Sequence, residues 1–278
     1  MKEKIIKGIE HLVFSNLLVS LSIGFLCSGI CIQLNIPNPF WYGLFVFSST
    51  LLTYNVQRFI KSTQTVPHPT NHILWVLSHK KELYLIGFVS TFLTLYSFLQ
   101  IFHWNLISIS ILIISLIISI LYVYKINSKS LRDTPYLKIH LIAFIWVVAL
   151  GIFELVNEQI FEIEKWMFVL VHYLYVLAVT IPFDIRDLKY DDLNKKTIPQ
   201  VFGVKNSKMM SFVFMLFYAF LAIYFQPDLL LNFFFHFSIL ISLCLILGIK
   251  ITRNEFYYSG LIEGSILIVG LSLFFNQP

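Results

Sequence analysis

The chain has 278 residues, of which 58% are hydrophobic and only 13% are charged, and its mean hydropathy is +0.79. A soluble domain cannot bury this much apolar surface, so the composition excludes an ordinary soluble protein and predicts a polytopic membrane protein. The formal net charge of +5 calls for no nucleic-acid partner, because anionic lipid at the inner membrane face attracts basic residues equally well.

Apolar runs of membrane-spanning length follow one another along the whole chain. A helix that crosses a hydrocarbon core of roughly 30 Å needs about 20 apolar residues. Nine such runs lie between charged or Pro/Asn-rich breaks, at 11–34, 39–60, 83–102, 106–124, 137–156, 166–183, 209–226, 229–249 and 257–275. Since no repeat, low-complexity tract or soluble appendage interrupts them, we expect one all-helical domain over residues 1–278.

The N-terminal segment and the basic residues predict the orientation. MKEKIIKGIEH resembles the charged start of a signal peptide, but no small-x-small cleavage site follows, so we expect the first run to remain as a transmembrane helix. With the N-terminus inside, every basic residue except Lys165 falls on the inner face, where Lys and Arg accumulate. This predicts a protein of the bacterial inner (cytoplasmic) membrane with its polar loops and active-site face in the cytoplasm.

Three inner loops, at 61–82, 125–136 and 184–208, are longer and more polar than the outer connections, as functional loops often are. Four basic residues in or just after the second loop could bind a diphosphate: Lys125, Lys129, Arg132 and Lys138. Retention of basic residues in cytoplasmic loops explains them equally well. Among the four, we assign substrate binding first to Lys125.

The third loop, together with the end of the span before it, carries a cluster of carboxylates in the stretch PFDIRDLKYDDLNKKTIPQVFG (182–203). Asp184, Asp187 and Asp191 are spaced i, i+3, i+7, which places them on one stripe of a helix, where like charges repel. We expect Arg186 and Lys189 to point to other faces, so the predicted counterion is Mg²⁺, held by carboxylates and by substrate phosphate oxygens. The alternative is a solvated loop without special geometry.

This stretch resembles the second aspartate-rich motif of the UbiA superfamily of intramembrane prenyltransferases, in which D-x-x-D-x-x-x-D precedes a Lys-Thr-x-Pro element and a Phe/Leu-Gly turn. The matching positions are Asp184, Asp187, Asp191, Lys196, Thr197, Pro199 and Gly203. Residues 122–151 are similar to the family's Tyr/Lys-rich loop and the helix after it. The resemblance implies a UbiA-like bundle of nine transmembrane helices with a cytoplasmic N-terminus. It also implies that the three aspartates are catalytic Mg²⁺ ligands and that Lys196 binds diphosphate.

The family's first motif, N-D-x-x-D-x-x-x-D near the cytoplasmic end of the second helix, corresponds here to LLTYNVQRFIKST (51–63), which contains no acidic residue. If Asn55 matches the leading Asn, Val56 and Phe59 take the carboxylate positions and metal binding is lost on this side.

If Asn55 instead matches the first Asp, Arg58 and Ser62 take the next two positions, and a polar stripe is kept on one face. We prefer this alignment. Asn55 could then offer a carbonyl ligand, and Arg58 could bind phosphate oxygens bidentately beside a single metal at Asp184 and Asp187. The other interpretation of Arg58 is a snorkelling side chain that anchors the helix end at the headgroups.

The resemblance implies transfer of an isoprenyl group from a prenyl diphosphate to a lipid-soluble or aromatic acceptor, in a cavity lined by aromatic rings. The acid-free first motif leaves a second hypothesis, a non-catalytic membrane protein that binds an isoprenoid or lipid. A third is an unrelated transporter or Mg²⁺-dependent lipid enzyme. Glu263, inside the last run, occupies a costly position for a carboxylate and is a further functional candidate whose partner the sequence does not reveal.

Overall fold

The computed structural model describes residues 2–63, 71–125 and 129–275, and every regular element within these ranges is helical. The α-helices are α1 (Lys2–Phe14), α2 (Leu17–Gln33), α3 (Pro39–Ser62), α4 (Asn71–Ser78), α5 (Lys80–Ile101), α6 (Leu106–Leu121), α7 (Leu137–Val147), α8 (Phe153–Asn157), α9 (Ile163–Asp187), α10 (Ile198–Phe225), α11 (Phe233–Leu247) and α12 (Glu263–Ser272). Short 3₁₀ turns and two π-helical segments connect them, at Leu131–Asp133, Val148–Ile152, Leu193–Lys195, Pro227–Leu230, Tyr257–Ile262 and Leu273–Phe275.

Among the described residues, five helical segments are long and apolar enough to cross a membrane: Lys80–Ile101, Leu137–Asn157, Ile163–Asp187, Ile198–Phe225 and Tyr257–Phe275. A sixth arises if the bent pair at the N-terminus counts as one span. The α6 and α11 helices are apolar but only 16 and 15 residues long, shorter than the roughly 20 residues that a straight span needs. The fold is thus an all-helical membrane protein, and the count of nine spans remains a prediction.

The first predicted span, 11–34, is not one continuous helix. Asn16 adopts a left-handed backbone conformation (φ 65°), and the helix segments Gly8–Phe14 and Leu17–Gln33 meet there at 63°. The bend leaves carbonyl groups at the end of α1 without partners in their own helix. The apolar pattern carries no signal for such a break.

The α3 helix has 24 residues but is too polar to qualify as a span. It packs closely on α2, where an added Cβ at Gly24 would lie 2.7 Å from the Cβ of Phe47 and 2.8 Å from the carbonyl oxygen of Gly43. Small residues at such crossings let helix backbones approach each other in a membrane. The α3 helix also packs on α5, and Nε2 of Gln57 donates to the carbonyl oxygen of Ser119 in α6 at 3.0 Å.

The α9 helix forms the centre of the bundle, packed against α7 and α10. Its most apolar stretch is 67% buried, whereas the corresponding stretch of α5 is 17% buried and lies at the periphery. The helix continues through Pro182 to Asp187, so this proline does not break it. Beyond it, α10 is interrupted at Gly203, whose φ of 76° and ψ of 165° are not helical.

Candidate functional site

Asp184 and Asp187 lie on the last turn of α9, and Asp191 follows on one further turn in which its N–H donates to the carbonyl oxygen of Asp187 at 2.9 Å. The common face that the spacing predicts is present, because one side chain from another helix touches all three carboxylates. That side chain is Lys138, at the start of α7. Only 8% of it is exposed.

The Nζ atom of Lys138 lies between the three carboxylates. It is 2.7 Å from Oδ1 of Asp184, 3.8 Å from Oδ2 of Asp187 and 2.8 Å from Oδ2 of Asp191. Asp184 is the most buried of the three, with 2% of its side chain exposed. A buried charge requires a partner, and Lys138 supplies one to each aspartate.

Two more cations form ion pairs with Asp191. Lys195 lies 2.9 Å from its Oδ1 and Arg132 lies 3.6 Å from the same atom. Burial alone would raise the pKa of the Asp191 carboxyl, but Lys138 and Lys195 outweigh it and hold this pKa below its usual range. Asp191 is therefore ionised at neutral pH.

The loop before α7 is held against the aspartates by its own hydrogen bonds. Asp133 accepts from the backbone and the hydroxyl of Ser130, at 3.1 and 2.7 Å, and lies 3.3 Å from Lys195. The backbone N–H of Tyr136 donates to the carbonyl oxygen of Lys195 at 3.1 Å. These contacts tie the second and third polar loops together around Asp191.

Arg186 also belongs to this cluster, which corrects the expectation that it points to another face. Its Nε donates to Oδ1 of Asp187 at 2.8 Å, and its Nη1 donates to Ser259 Oγ at 3.2 Å. The guanidinium group lies over the rings of Phe183 and Tyr258, at 5.1 and 6.0 Å from their centres. The side chain of Arg186 thus turns back to Asp187, although adjacent residues of a helix do not face each other.

These residues do not fit a divalent ion placed between the three carboxylates, because the ammonium group of Lys138 lies there. Among the described residues, only His11, His79 and Glu82 bring three candidate metal-ligand atoms within 4.8 Å of one another. A Mg²⁺ ion bound by the three aspartates stays a prediction from the sequence.

The first-motif segment lies on α3, and its residues contact the bend between α1 and α2. Asn55 donates to the carbonyl oxygens of Ser15 and Leu51, at 3.0 and 2.9 Å, and its Oδ1 accepts from Asn16 at 3.0 Å. These bonds use both ends of the amide to hold α3 at the bend. The ligand-binding role that the sequence suggests for Asn55 stays a prediction.

Arg58 lies one turn further along α3, where its Nη1 donates to the carbonyl oxygen of Phe14 at 2.7 Å. Val56 and Phe59 are exposed. If these two residues matched the carboxylate positions of the motif, those positions would face away from the site. Arg58 and Arg186 both interact electrostatically with Glu263, although neither forms an ion pair with it among the described residues.

A cavity of about 630 Å³ lies beside this face of α3. Most of its wall is apolar or aromatic, including Phe45, Phe98 and Phe153 at one end. At the other end, Arg58 and Lys61 are the charged residues among the described lining. Between Phe45 and Arg58 the axis of α3 rises by roughly 20 Å, at 1.5 Å per residue. The cavity can therefore hold a long apolar group that ends in an anion.

The aspartate cluster adjoins the cationic end of the cavity. Tyr122 lines the cavity, and the guanidinium of Arg132 lies 5.8 Å from the centre of its ring. Lys61 interacts electrostatically with Asp187 and, repulsively, with Arg132. The two motif segments thus meet at this end of the cavity, with α3 supplying cations and α9 supplying carboxylates.

Two residues assigned to the diphosphate by the sequence lie elsewhere. Lys125 is exposed and forms none of the ion pairs that hold the aspartates in the described structure. Lys196 is exposed as well, and its Nζ lies over the ring of Tyr136 at 5.7 Å. Lys61, which no motif singles out, lies instead at the cationic end of the cavity. Lys61 follows Arg58 by three residues on the same helix, and this spacing is the sequence signal that could have identified it.

Comparison of the chain with protein-family models, with curated proteins and with solved structures gives no match. The resemblance to the UbiA superfamily therefore rests on the motif residues alone. Membership of that family remains a prediction.

Proposed function

We propose that the protein binds a prenyl diphosphate in the cavity beside α3 and transfers its isoprenyl group to a lipid-soluble or aromatic acceptor. The observation that carries this proposal is the cavity itself. Its volume of about 630 Å³ falls within the roughly 300–1,000 Å³ of small-molecule sites, and its wall is mostly apolar, with Arg58 and Lys61 as the charged residues of the described lining.

The cationic end suits the diphosphate. One guanidinium donor of Arg58 is used by Phe14, and an arginine has five, so several remain for phosphate oxygens. Lys61 adds a second positive charge three residues further along α3, on the same side of the helix. A half-buried guanidinium and a half-buried ammonium together favour a ligand with multiple negative charges.

In the proposed reaction the bond between the allylic carbon and the diphosphate oxygen breaks, and both electrons leave with the pyrophosphate. Arg58 and Lys61 stabilise the charge that develops on this leaving group. The acceptor then donates an electron pair to the allylic cation, forms the new bond and loses a proton. An aromatic acceptor regains its aromatic ring by that loss.

Aromatic side chains lie where the cation would form. Tyr54 is one helical turn from Arg58, and its hydroxyl accepts from Nε1 of Trp146 at 3.0 Å. Both residues line the cavity. Ring faces attract a cation by roughly 0.5–2 kcal/mol each, and an apolar wall keeps water from capturing it.

A non-catalytic binder of an isoprenoid or anionic lipid is the second candidate. The observation that favours it is the absence of a carboxylate among the described residues that line the cavity. Such a protein would bind the same ligand and release no pyrophosphate.

Binding and turnover of the purified protein in nanodiscs test both candidates. We expect geranylgeranyl diphosphate to bind more tightly than geranylgeraniol, because only the diphosphate can contact Arg58 and Lys61. Lys61→Met should weaken binding by about tenfold or more, the equivalent of one charge-assisted hydrogen bond. Lys205→Met, an exposed lysine on α10, is the matched control and should bind like the wild type.

Equal affinity for the alcohol and the diphosphate, or equal binding by Lys61→Met and the control, would contradict the proposed site. Pyrophosphate release on addition of a membrane lipid extract supports the transferase. Tight binding without release from any acceptor supports the non-catalytic candidate. Lipid analysis of a deletion strain would then identify the acceptor.

A further inference from the structure

We propose that Lys138 takes the place of a divalent ion in this site, so that the aspartates are neutralised from within the chain and the anionic ligand binds without Mg²⁺. The part that concerns the ligand rests on the proposed function. The part that concerns the aspartates rests on the positions of their side chains alone.

One atom, Nζ of Lys138, lies within 3.8 Å of an oxygen of each of the three carboxylates. Mg²⁺ binds such oxygens at about 2.0–2.1 Å in near-octahedral geometry, so an ion bridging them would overlap the ammonium group. Lys138 is buried at the start of α7, and moving its charge away would break these contacts in a region of low dielectric.

The positive and negative charges of the cluster are equal in number. Asp133 extends the cluster of three aspartates to four carboxylates, and these face four cations in ion pairs of the described residues. The cations are Lys138, Arg132, Arg186 and Lys195. A cluster that already balances has no unmet negative charge with which to attract a divalent cation.

On the other side of the site, α3 contributes the cations Arg58 and Lys61. Lys61 forms no ion pair within the described residues; burial and the neighbouring cations Arg132, Lys138 and Arg58 lower its pKa well below the usual range, while Asp187 acts in the opposite direction. Like charges this close repel one another, and an anion among them relieves that repulsion. The site is therefore arranged to attract an anion directly, and the aspartates hold Lys138, Arg132 and Arg186 around it.

Mn²⁺ tests whether the aspartates bind a divalent ion, because free Mn²⁺ has an EPR signal that is lost on binding and Mn²⁺ accepts carboxylate ligands. The group of His11, His79 and Glu82 could bind the same ion. The titration is therefore made in a His79→Ala background with full-length protein. We expect this protein to show no Mn²⁺ site that depends on Asp184, and Asp184→Asn should leave its titration curve unchanged.

Lys138→Gln removes the ammonium charge and keeps much of the side-chain volume. In the same background this variant should gain a Mn²⁺ site, and adding Asp184→Asn should remove it again. Lys205→Gln should gain no site. A Mn²⁺ site in the protein with Lys138 intact that disappears on Asp184→Asn would overturn the inference. Because this last comparison uses only proteins that retain Lys138, its result does not depend on whether Lys138→Gln folds.

A ligand measurement completes the test. Binding of geranylgeranyl diphosphate by the wild type in EDTA should lie within about twofold of binding in Mg²⁺. Loss of binding in EDTA with recovery on addition of Mg²⁺ would overturn the inference. If the diphosphate binds under neither condition, the proposed function fails, and the Mn²⁺ titration still decides whether Lys138 replaces the ion.

Discussion

The ammonium nitrogen of Lys138 lies 2.7 Å from Oδ1 of Asp184, and both side chains are more than nine-tenths buried. This ion pair joins the start of α7 to the last turn of α9, the central helix of the bundle. Removing one partner of a buried pair leaves the other charge without compensation. The pair therefore matters more for the integrity of the site than an exposed ion pair of equal length.

Replacing the two partners should have unequal effects. Lys138→Met leaves three carboxylates without their shared cation and should cost about 3–5 kcal/mol of the free energy of unfolding. Asp184→Asn should cost less, because Lys138 keeps Asp191 at 2.8 Å and Asp187 at 3.8 Å. Thermal unfolding of both variants in the same detergent measures the difference. Equal destabilisation would mean that Lys138 does not act on the three aspartates together.

The aspartate stripe could be predicted from the sequence because it depends on spacing within one helix. Its counterion could not, because Lys138 is 46 residues from Asp184 along the chain and the positive-inside rule already explains a lysine there. Local periodicity fixes which face a residue occupies. It does not fix which helix packs against that face.

The residues assigned to the diphosphate show a second limit of prediction from sequence: the motif does not reveal the local backbone conformation. Lys196 has a positive φ of 47° directly after the 3₁₀ turn at Leu193–Lys195. This turns Lys195 toward Asp191 and Lys196 toward Tyr136 and solvent. Motif matching selects Lys196, whereas the backbone at this position brings Lys195 into the cluster. A change of one position along the chain thus exchanges a site residue for a surface residue.

The two adjacent lysines give a matched pair of variants. Lys195→Met removes contacts to Asp191 at 2.9 Å and to Asp133 at 3.3 Å, and should cost about 1–3 kcal/mol, as for hydrogen bonds between charged groups. Lys196→Met removes a ring contact at the surface and should change stability by less than about 1 kcal/mol. Thermal unfolding of both proteins checks this order. A larger loss for Lys196→Met would contradict the structure.

Gly203 should not tolerate a side chain, although nothing lies within 4 Å of an added Cβ. Its φ of 76° and ψ of 165° belong to a region that essentially only glycine adopts, and other residues there cost roughly 1–3 kcal/mol. Gly203→Ala should therefore lower the unfolding temperature. Gly87→Ala in α5 is the control, because that Cβ also meets nothing within 4 Å and Gly87 is helical. The control should be neutral or stabilising, and similar results for both would show that α10 is not strained at Gly203.

His72 should make stability depend on pH. Its Nε2 lies 2.7 Å from Oε1 of Glu255, and only 10% of the His72 side chain is exposed. Burial and the repulsion of Arg58 lower the pKa of His72 to about 4, although Glu255 acts in the opposite direction. Between the ordinary pKa of 6.5 and this value, the unfolded chain binds more protons than the folded one. The free energy of unfolding should therefore fall as the pH is lowered from about 6.5 to 4, by about 1.4 kcal/mol for each unit of lowered pKa.

His72→Gln isolates this contribution, because a glutamine amide can still donate to Glu255 and does not titrate. The unfolding temperature of this variant should fall less steeply over the same pH range than that of the wild type. His236→Gln, at an exposed histidine on α11, should keep the slope of the wild type. Glu255 does not disturb the comparison near pH 6, because burial would raise its pKa but His72 and Arg186 hold that pKa below its usual value of 4.5. If His72→Gln and His236→Gln give the same slope, His72 takes up its proton in the folded protein as readily as in the unfolded chain.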